Sequence, residues 1–254
     1  MSDYTYWSRI KPPVRPSDDV NDYIRRQIKP RSRVLILGST PEFRSLCHEL
    51  DCEVIVADES RDIFENVSPL VTTKGPEKFL ERSWKELRGM DLGCNYVLAD
   101  GSFNMMPLAA AGEVVDAISK NLAPLARALI HVHYRFPSQH KSPLEIINSC
   151  LETHAEELLF QNTWVDLANY FCDARTGGFR YAEWNRSIEK LHTDRQISPR
   201  QYGQLSLGLH DIWIYMHPEF DFKSLWSDAF SLDDEFAPGD YANGHLHPVL
   251  NWQY

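Results

Sequence analysis

Short apolar runs without polar alternation recur through the first half of the chain. They are Val34-Leu35-Ile36-Leu37, Val54-Ile55-Val56-Ala57, Tyr96-Val97-Leu98-Ala99 and the stretch 126–134, with a weaker one at 78–82. Runs of this kind suit strands buried on both faces, as in a parallel sheet. Segments with helical spacing lie between them. Pro41 to Leu50 follows the first run, and a stripe of Leu108, Ala111, Val114, Val115, Ile118 and Leu122 follows the fourth strand, with Pro107 at its start. Ser17 or Asp18 caps an earlier helix that runs to about residue 28. Strand and helix alternate up to about residue 135, which predicts a parallel sheet with helices on both faces.

The second half changes character. Four helical segments are predicted at 143–160, 163–174, 181–192 and 199–216, punctuated by Pro137, Pro143, Gly177-Gly178, Pro199 and Pro218. Returns to strand are expected at 212–216, 228–232 and 249–253, and the acidic run 231–240 reads as a solvated loop. The organisation that follows is an N-terminal arm and helix (1–30), a ligand-binding core (31–136), a helical insertion (137–220) and closing strands (221–254). Residues 1–17 carry three prolines and three aromatics. They form either an arm packed through Tyr4, Tyr6 and Trp7, or a flap over the ligand with Arg15 near the site.

Composition narrows the function. The chain has 254 residues, 43% of them hydrophobic, enough for one large domain with a full core. The net charge is −10 and the basic residues are scattered, which argues against a nucleic-acid partner. The five cysteines include no Cys-x-x-Cys pair and read as buried thiols of a reducing compartment. No apolar run reaches the length of a membrane span, so a cytoplasmic protein without membrane attachment is expected. Composition does not fix the oligomer, and a homodimer is compatible with it.

Candidate chemistry sits where the strands end. Gly38-Ser39-Thr40-Pro41 breaks the first run, and Thr40 and Glu42 favour a helix start there. Asp58 ends the second run about 20 positions after Gly38, the place where a ribose diol is held in nucleotide-type folds. The turn is a poor pyrophosphate cradle, because it has one glycine and Glu42 would repel phosphate. The fifth strand ends in His131-Val132-His133-Tyr134-Arg135. Alternation puts His131, His133 and Arg135 on one face, and a histidine there could take a proton from an acceptor. His131, His133, Tyr134 and Arg135 are therefore the catalytic candidates, with a packed neutral ring as the plainer reading of either histidine. Two histidines and an arginine make a poor ligand set, so no metal is proposed. Trp164, Tyr181, Trp184, Trp213 and Tyr215 either roof the site or simply pack the helices, with His210-Asp211 among them, and Met105-Met106 reads as core.

Together these residues resemble the class I S-adenosylmethionine-dependent methyltransferases over about residues 33–135. Leu37-Gly38-Ser39-Thr40-Pro41-Glu42 is similar to the first motif, Val56-Ala57-Asp58 to the second, Ser83-Trp84 to the third, and Val97-Leu98-Ala99-Asp100-Gly101-Ser102 to the fourth. The resemblance implies a Rossmann-like, doubly wound α/β fold with a mostly parallel seven-stranded sheet and a helical insertion late in the chain. It implies S-adenosyl-L-methionine as cofactor, S-adenosyl-L-homocysteine as product and a small-molecule or carrier-bound acceptor. By likeness, Gly38 lets the backbone approach the methionine part, Asp58 holds the ribose, Trp84 lies by the adenine, and Asp100 faces the sulfonium. Ser39, Thr40, Glu59, Ser83, Gly101 and Ser102 complete the implied cofactor site. The chain departs from the family at Ile36, Thr40 and Glu42, where an acid and two further glycines are usual. The lost acid leaves the ligand's amino group without its usual partner. A same-fold lyase or cyclase using the cofactor intramolecularly, and a non-catalytic cofactor binder, are the alternatives.

Overall fold

The computed structural model describes residue 7 and residues 10–136, 141–206 and 212–254. Helix α1 (Asp18–Gln27) starts at Ser17, whose hydroxyl accepts from the Val20 N–H, and leads into β1 (Arg33–Leu37). Then follow α2 (Pro41–Glu49), β2 (Glu53–Asp58), α3 (Arg61–Val67), β3 (Glu77–Glu81), β4 (Cys94–Asp100), α4 (Leu108–Ser119) and β5 (Leu122–His131). The remainder comprises β6 (Tyr134–Arg135), α5 (Pro143–Leu151), α6 (Leu159–Phe171), β7 (Gly178–Arg180), α7 (Tyr181–Thr193), α8 (Pro199–Leu205), β8 (Trp213–Tyr215), β9 (His217–Pro218), α9 (Glu219–Ser224), β10 (Ser231–Phe236) and β11 (Val249–Gln253).

Seven strands form one sheet in the order β10-β11-β5-β4-β1-β2-β3. The pairs from β5 to β3 are parallel, and β11 runs antiparallel to both its neighbours. The winding reverses between β1 and β4, and ligands of open α/β sheets bind at such a reversal. Strand alternation divides the core. Leu35, Leu37, Ile55, Ala57, Val97 and Ala99 pack with α4, Phe222 and Trp226 on one face. Val34, Ile36, Val54, Val56 and Leu98 pack with α1 and α2 on the other. A third cluster, centred on Trp164, Trp184 and Phe179, is the core of the helical region, and Ile10 of the arm joins it.

Several sequence-based expectations are corrected. The fifth strand spans 122–131, not 126–134. The chain leaves the sheet after His131, and Tyr134 pairs instead with His217 in a separate two-stranded ribbon. The segment 143–160 breaks after Leu151, where Thr153 turns its hydroxyl onto the Cys150 carbonyl and offers the backbone an alternative to helix. The helix resumes at Leu159. Helix α8 stops at Leu205, and β8 pairs with β7 rather than with the main sheet. His210-Asp211 lies outside the described residues. The acidic stretch expected as a loop begins with the edge strand β10, three residues beyond the predicted start of a strand. An edge strand needs a partner on one side only, and its charged side chains stay in water. Thr40 makes no side-chain cap; Pro41 at the first helical position sets the start of α2.

Candidate active site

The tips of β1, β2 and β4 converge on a cavity of about 450 Å3. Gly38 takes φ +89°, a left-handed conformation that favours glycine. A Cβ there would meet the Ser102 hydroxyl at 3.6 Å and the Trp84 ring at 3.8 Å. Both neighbours are fixed from beneath: Ser102 donates to the Leu37 carbonyl at 2.7 Å, and the Trp84 indole N–H donates to the Ala57 carbonyl at 2.7 Å. Asp58 is aimed by two bonds. Its Oδ2 accepts from the Ser39 hydroxyl at 2.7 Å and its Oδ1 from the Ser60 N–H at 3.0 Å. Burial raises its pKa above the ordinary value, and these bonds oppose the shift.

A buried histidine cluster stands behind the tip of β4. His131 Nδ1 lies 2.6 Å from Asp100 Oδ1, and its Nε2 lies 3.2 Å from the Tyr241 hydroxyl. A carboxylate only accepts, so Nδ1 carries a proton toward Asp100. Asp100 Oδ2 is buried and has no partner among the described residues. Burial raises the Asp100 pKa, and the bond from His131 opposes this. His133 Nδ1 lies 2.8 Å from His247 Nδ1, so one ring donates and the other accepts. Burial lowers the pKa of both rings well below the usual imidazole value, helped by neighbouring histidines. Asn104 fixes the segment that carries His133: its amide donates to the His133 and Tyr215 carbonyls and accepts from the His133 N–H. Gly101 takes φ +59°, the left-handed conformation that favours glycine, and lies in ordinary contact range of the His133 ring.

The far wall of the cavity is apolar. The arm contributes Trp7, Ile10 and Val14; the helical region contributes Trp164, Tyr181, Ile212 and Ile214. The Trp164 indole donates to the Tyr181 hydroxyl at 2.8 Å and its ring meets His133 edge-on at 4.8 Å. Arg15 ties the arm down. It donates to the Trp7 and Ile10 carbonyls and forms an ion pair with Glu42 in the first turn of α2.

No protein-family model matches the chain. No curated protein matches it. Solved structures do. A Methanosarcina mazei S-adenosylmethionine-dependent methyltransferase matches with TM-score 0.53 at 13% identity, over 91% of this chain and 96% of its own. A Burkholderia thailandensis 1,6-didemethyltoxoflavin N1-methyltransferase, solved with its substrate and S-adenosylhomocysteine, matches with TM-score 0.51 at 14% identity, over 93% and 79%. The fold is that of the class I S-adenosylmethionine-dependent methyltransferases. A Rhodobacter sphaeroides protein provisionally titled a zinc-dependent alcohol dehydrogenase also matches, with TM-score 0.58 at 17% identity, over 97% and 93%.

Within this methyltransferase fold, the cofactor residues expected from the sequence fall together. Gly38, Ser39 and Thr40 line the cavity from β1; Asp58 and Glu59 from β2; Ser83 and Trp84 from beyond β3; and Asp100, Gly101 and Ser102 from β4. The catalytic candidates separate. His133 lines the cavity, while His131 lies behind Asp100. Tyr134 is buried beside Phe222 on the sheet's core, because the chain turns outward after His131. Arg135 donates to the Asp173 and Ala174 carbonyls and takes no part in the cavity wall. Met105 and Met106, expected in the core, also line the cavity. Asn104, Tyr241 and His247 carry no local sequence signal of their role. His247 arrives beside His133 because β11 pairs with β5 in the register Val249 to His131.

Proposed function

We propose that the protein is an S-adenosylmethionine-dependent methyltransferase acting on a small molecule or carrier-bound metabolite. The observation that carries this reading is Asp100. Its second carboxylate oxygen is buried and unpaired among the described residues, on the wall of the cavity that also holds Asp58 and Trp84. A buried, unpaired anionic oxygen favours a cationic ligand beside it. The acids Asp58, Glu59 and Asp100 would oppose a phosphate there.

S-adenosylmethionine, when bound, supplies a methyl group made electrophilic by its sulfonium. The residues of this chain then bind, orient and exclude water. Asp58, pinned by Ser39 and Ser60, presents its carboxylate to a ribose diol. Trp84, anchored on Ala57, offers a flat face for the adenine. The apolar wall of Trp164, Tyr181, Ile212 and Ile214 encloses the acceptor, and alignment in such a site can supply most of the rate. His133 is neutral at physiological pH because burial disfavours its charged form. With its proton on Nδ1, toward His247, Nε2 keeps a lone pair for the acceptor's proton. The helical region around 137–220 would thus form the acceptor pocket.

Calorimetry with S-adenosylhomocysteine tests the cofactor, and incubation with S-adenosylmethionine, with and without acceptor mixtures, tests the reaction. Methyl transfer only in the presence of acceptor is expected. Turnover without acceptor would point to an intramolecular reaction, and binding without turnover against any acceptor to a cofactor sensor. No binding would remove the basis of the reading.

A further inference from the structure

We infer that His133 and His247 act as one base: His133 meets the acceptor, and His247, behind it, is the positioning residue that takes up the His133 Nδ1 proton. The inference rests on the base role given to His133 above and adds to it a second ring and a path for the proton.

Strand pairing brings the two rings together. β11 runs antiparallel to β5 with Val249 opposite His131, and the Val132 N–H donates to the Pro248 carbonyl at 3.2 Å. The same register carried two residues beyond His131 sets His247 opposite His133. Directly opposed residues of an antiparallel pair hold their side chains close, and here the two Nδ1 atoms lie 2.8 Å apart. Neither ring is loose. Both are almost completely buried. The Trp164 ring meets them at 4.8 and 5.7 Å, and Tyr241 meets His247 at 5.6 Å. His133 lines the cavity and His247 does not.

A hydrogen bond between two Nδ1 atoms needs one proton between them. In the neutral pair the other proton sits on one of the two Nε2 atoms. With the bridging proton on His133, its Nε2, beside Gly101 of the cavity wall, is a lone pair. With the bridging proton on His247, the same Nε2 is an N–H and takes no proton. The first arrangement gives a path. The acceptor's bond to hydrogen breaks with its electron pair left on the acceptor, and an N–H bond forms at His133 Nε2. The His133 Nδ1–H bond breaks in turn, and an N–H bond forms at His247 Nδ1. The positive charge then belongs to both rings.

Burial disfavours a charge on either ring, and neighbouring histidines add to this: His247 and His131 for His133, His131 and His245 for His247. One such ring alone is a poor base. The bridge opposes the penalty, because a hydrogen bond that carries a charge is about twice as strong as a neutral one. The pair therefore holds a proton that neither ring would hold alone, and it titrates as a unit. Asp100, His131, Tyr241 and His245 are the other titratable groups around it. His131 does not substitute for His247. Its Nδ1 is engaged by Asp100, and its ring meets that of His133 edge-on at 5.1 Å.

Nitrogen-15 NMR of the histidine rings tests the pair in the wild-type protein without substrate. A coupling through the hydrogen bond between the two Nδ1 atoms is expected, with the proton on His133 and its Nε2 bare. Absence of the coupling, or a proton on His133 Nε2, overturns the inference. His247→Phe should lower the pH at which His133 gains its proton, because the shared bond is gone. An unchanged or higher midpoint overturns the inference, since His247 would then be only a repelling neighbour. In turnover, His247→Phe should lose at least tenfold in kcat with KM within twofold. His247→Asn keeps an oxygen for the His133 Nδ1–H but cannot take its proton, so it should recover only part of that loss. Full recovery would reduce His247 to holding the ring and overturns the inference. Protein that shows the coupling but binds no S-adenosylhomocysteine keeps the pair and overturns the cofactor reading alone.

Discussion

Asp58 accepts one hydrogen bond on each oxygen, and both donors come from the chain itself, so its carboxylate is oriented before any ligand arrives. Asp58→Ala should weaken S-adenosylhomocysteine binding by about 1–3 kcal/mol, the usual worth of charged hydrogen bonds, measured by calorimetry. Unchanged affinity would reject a ribose contact. His133→Gln should lower kcat more than it changes cofactor affinity, and the reverse pattern would make His133 a cofactor or packing residue. The buried histidine pair also predicts a pH effect. His133 and His247 have folded-state pKa values far below the ordinary 6.5, so below that pH the unfolded chain binds more protons than the folded one. Stability contributed by the pair is therefore complete above pH 6.5 and is lost as the pH falls through it. The raised carboxyls Asp58, Asp100 and Glu42 act in the opposite sense, gaining protons in the folded state first. The diagnostic comparison is consequently between proteins. Denaturation between pH 7.5 and 5.5 should show a shallower loss of stability in His133→Gln/His247→Gln than in the wild type. Gly38, Asp58, Trp84 and Asp100 are legible in the sequence because each stands at or just past the end of a strand run. His247 and Tyr241 are not, because pairing of β11 with β5 brings them to the site from over a hundred positions away.

Helix α2 is fixed to the edge of the sheet by a buried charge. Arg44 is 1% exposed and donates to Glu77 of β3 and to the Ser68 hydroxyl, with its guanidinium over the Phe64 ring. Removing one partner of such a pair strands the other charge, at a cost of about 3–5 kcal/mol. Arg44→Ala should lower the urea midpoint accordingly with an unchanged denaturant slope. A change below 1 kcal/mol would mean that water and His48, 3.4 Å from Glu77, make up for the lost partner. Elements whose apolar residues face one layer are legible in advance, as β1, β2, β4 and α4 are. Those whose partner is distant are harder to read. Strand β8 lies within a stretch with helical spacing, and pairing with Gly178, Phe179 and Arg180 of β7 makes it extended. Strand β10 has no apolar face to announce it. Its side chains are mostly exposed, and its identity comes from the backbone of β11.

At the scale of the molecule, the cavity is walled by the sheet, the arm and the helical region at once. Ligand binding should therefore stabilise the whole. At a hundredfold excess over Kd the gain is about 2.7 kcal/mol, or roughly 5–11 °C in Tm for a domain of this size. Differential scanning fluorimetry with S-adenosylhomocysteine checks this, and an unshifted Tm would speak against binding at that excess. The overall architecture is legible because strand–helix alternation leaves few topologies. The contact of the arm with α2 is not, because proline-rich sequence does not say what it will lie against. The position of β11 has a further consequence. It comes later in the chain than the six other strands of the sheet, yet it lies inside the sheet between β5 and β10. Before it docks, β5 has an open ladder of backbone groups on that side and β10 has no neighbour in the sheet. A folding intermediate without it therefore carries an adhesive edge, the surface a chaperone would have most reason to cover.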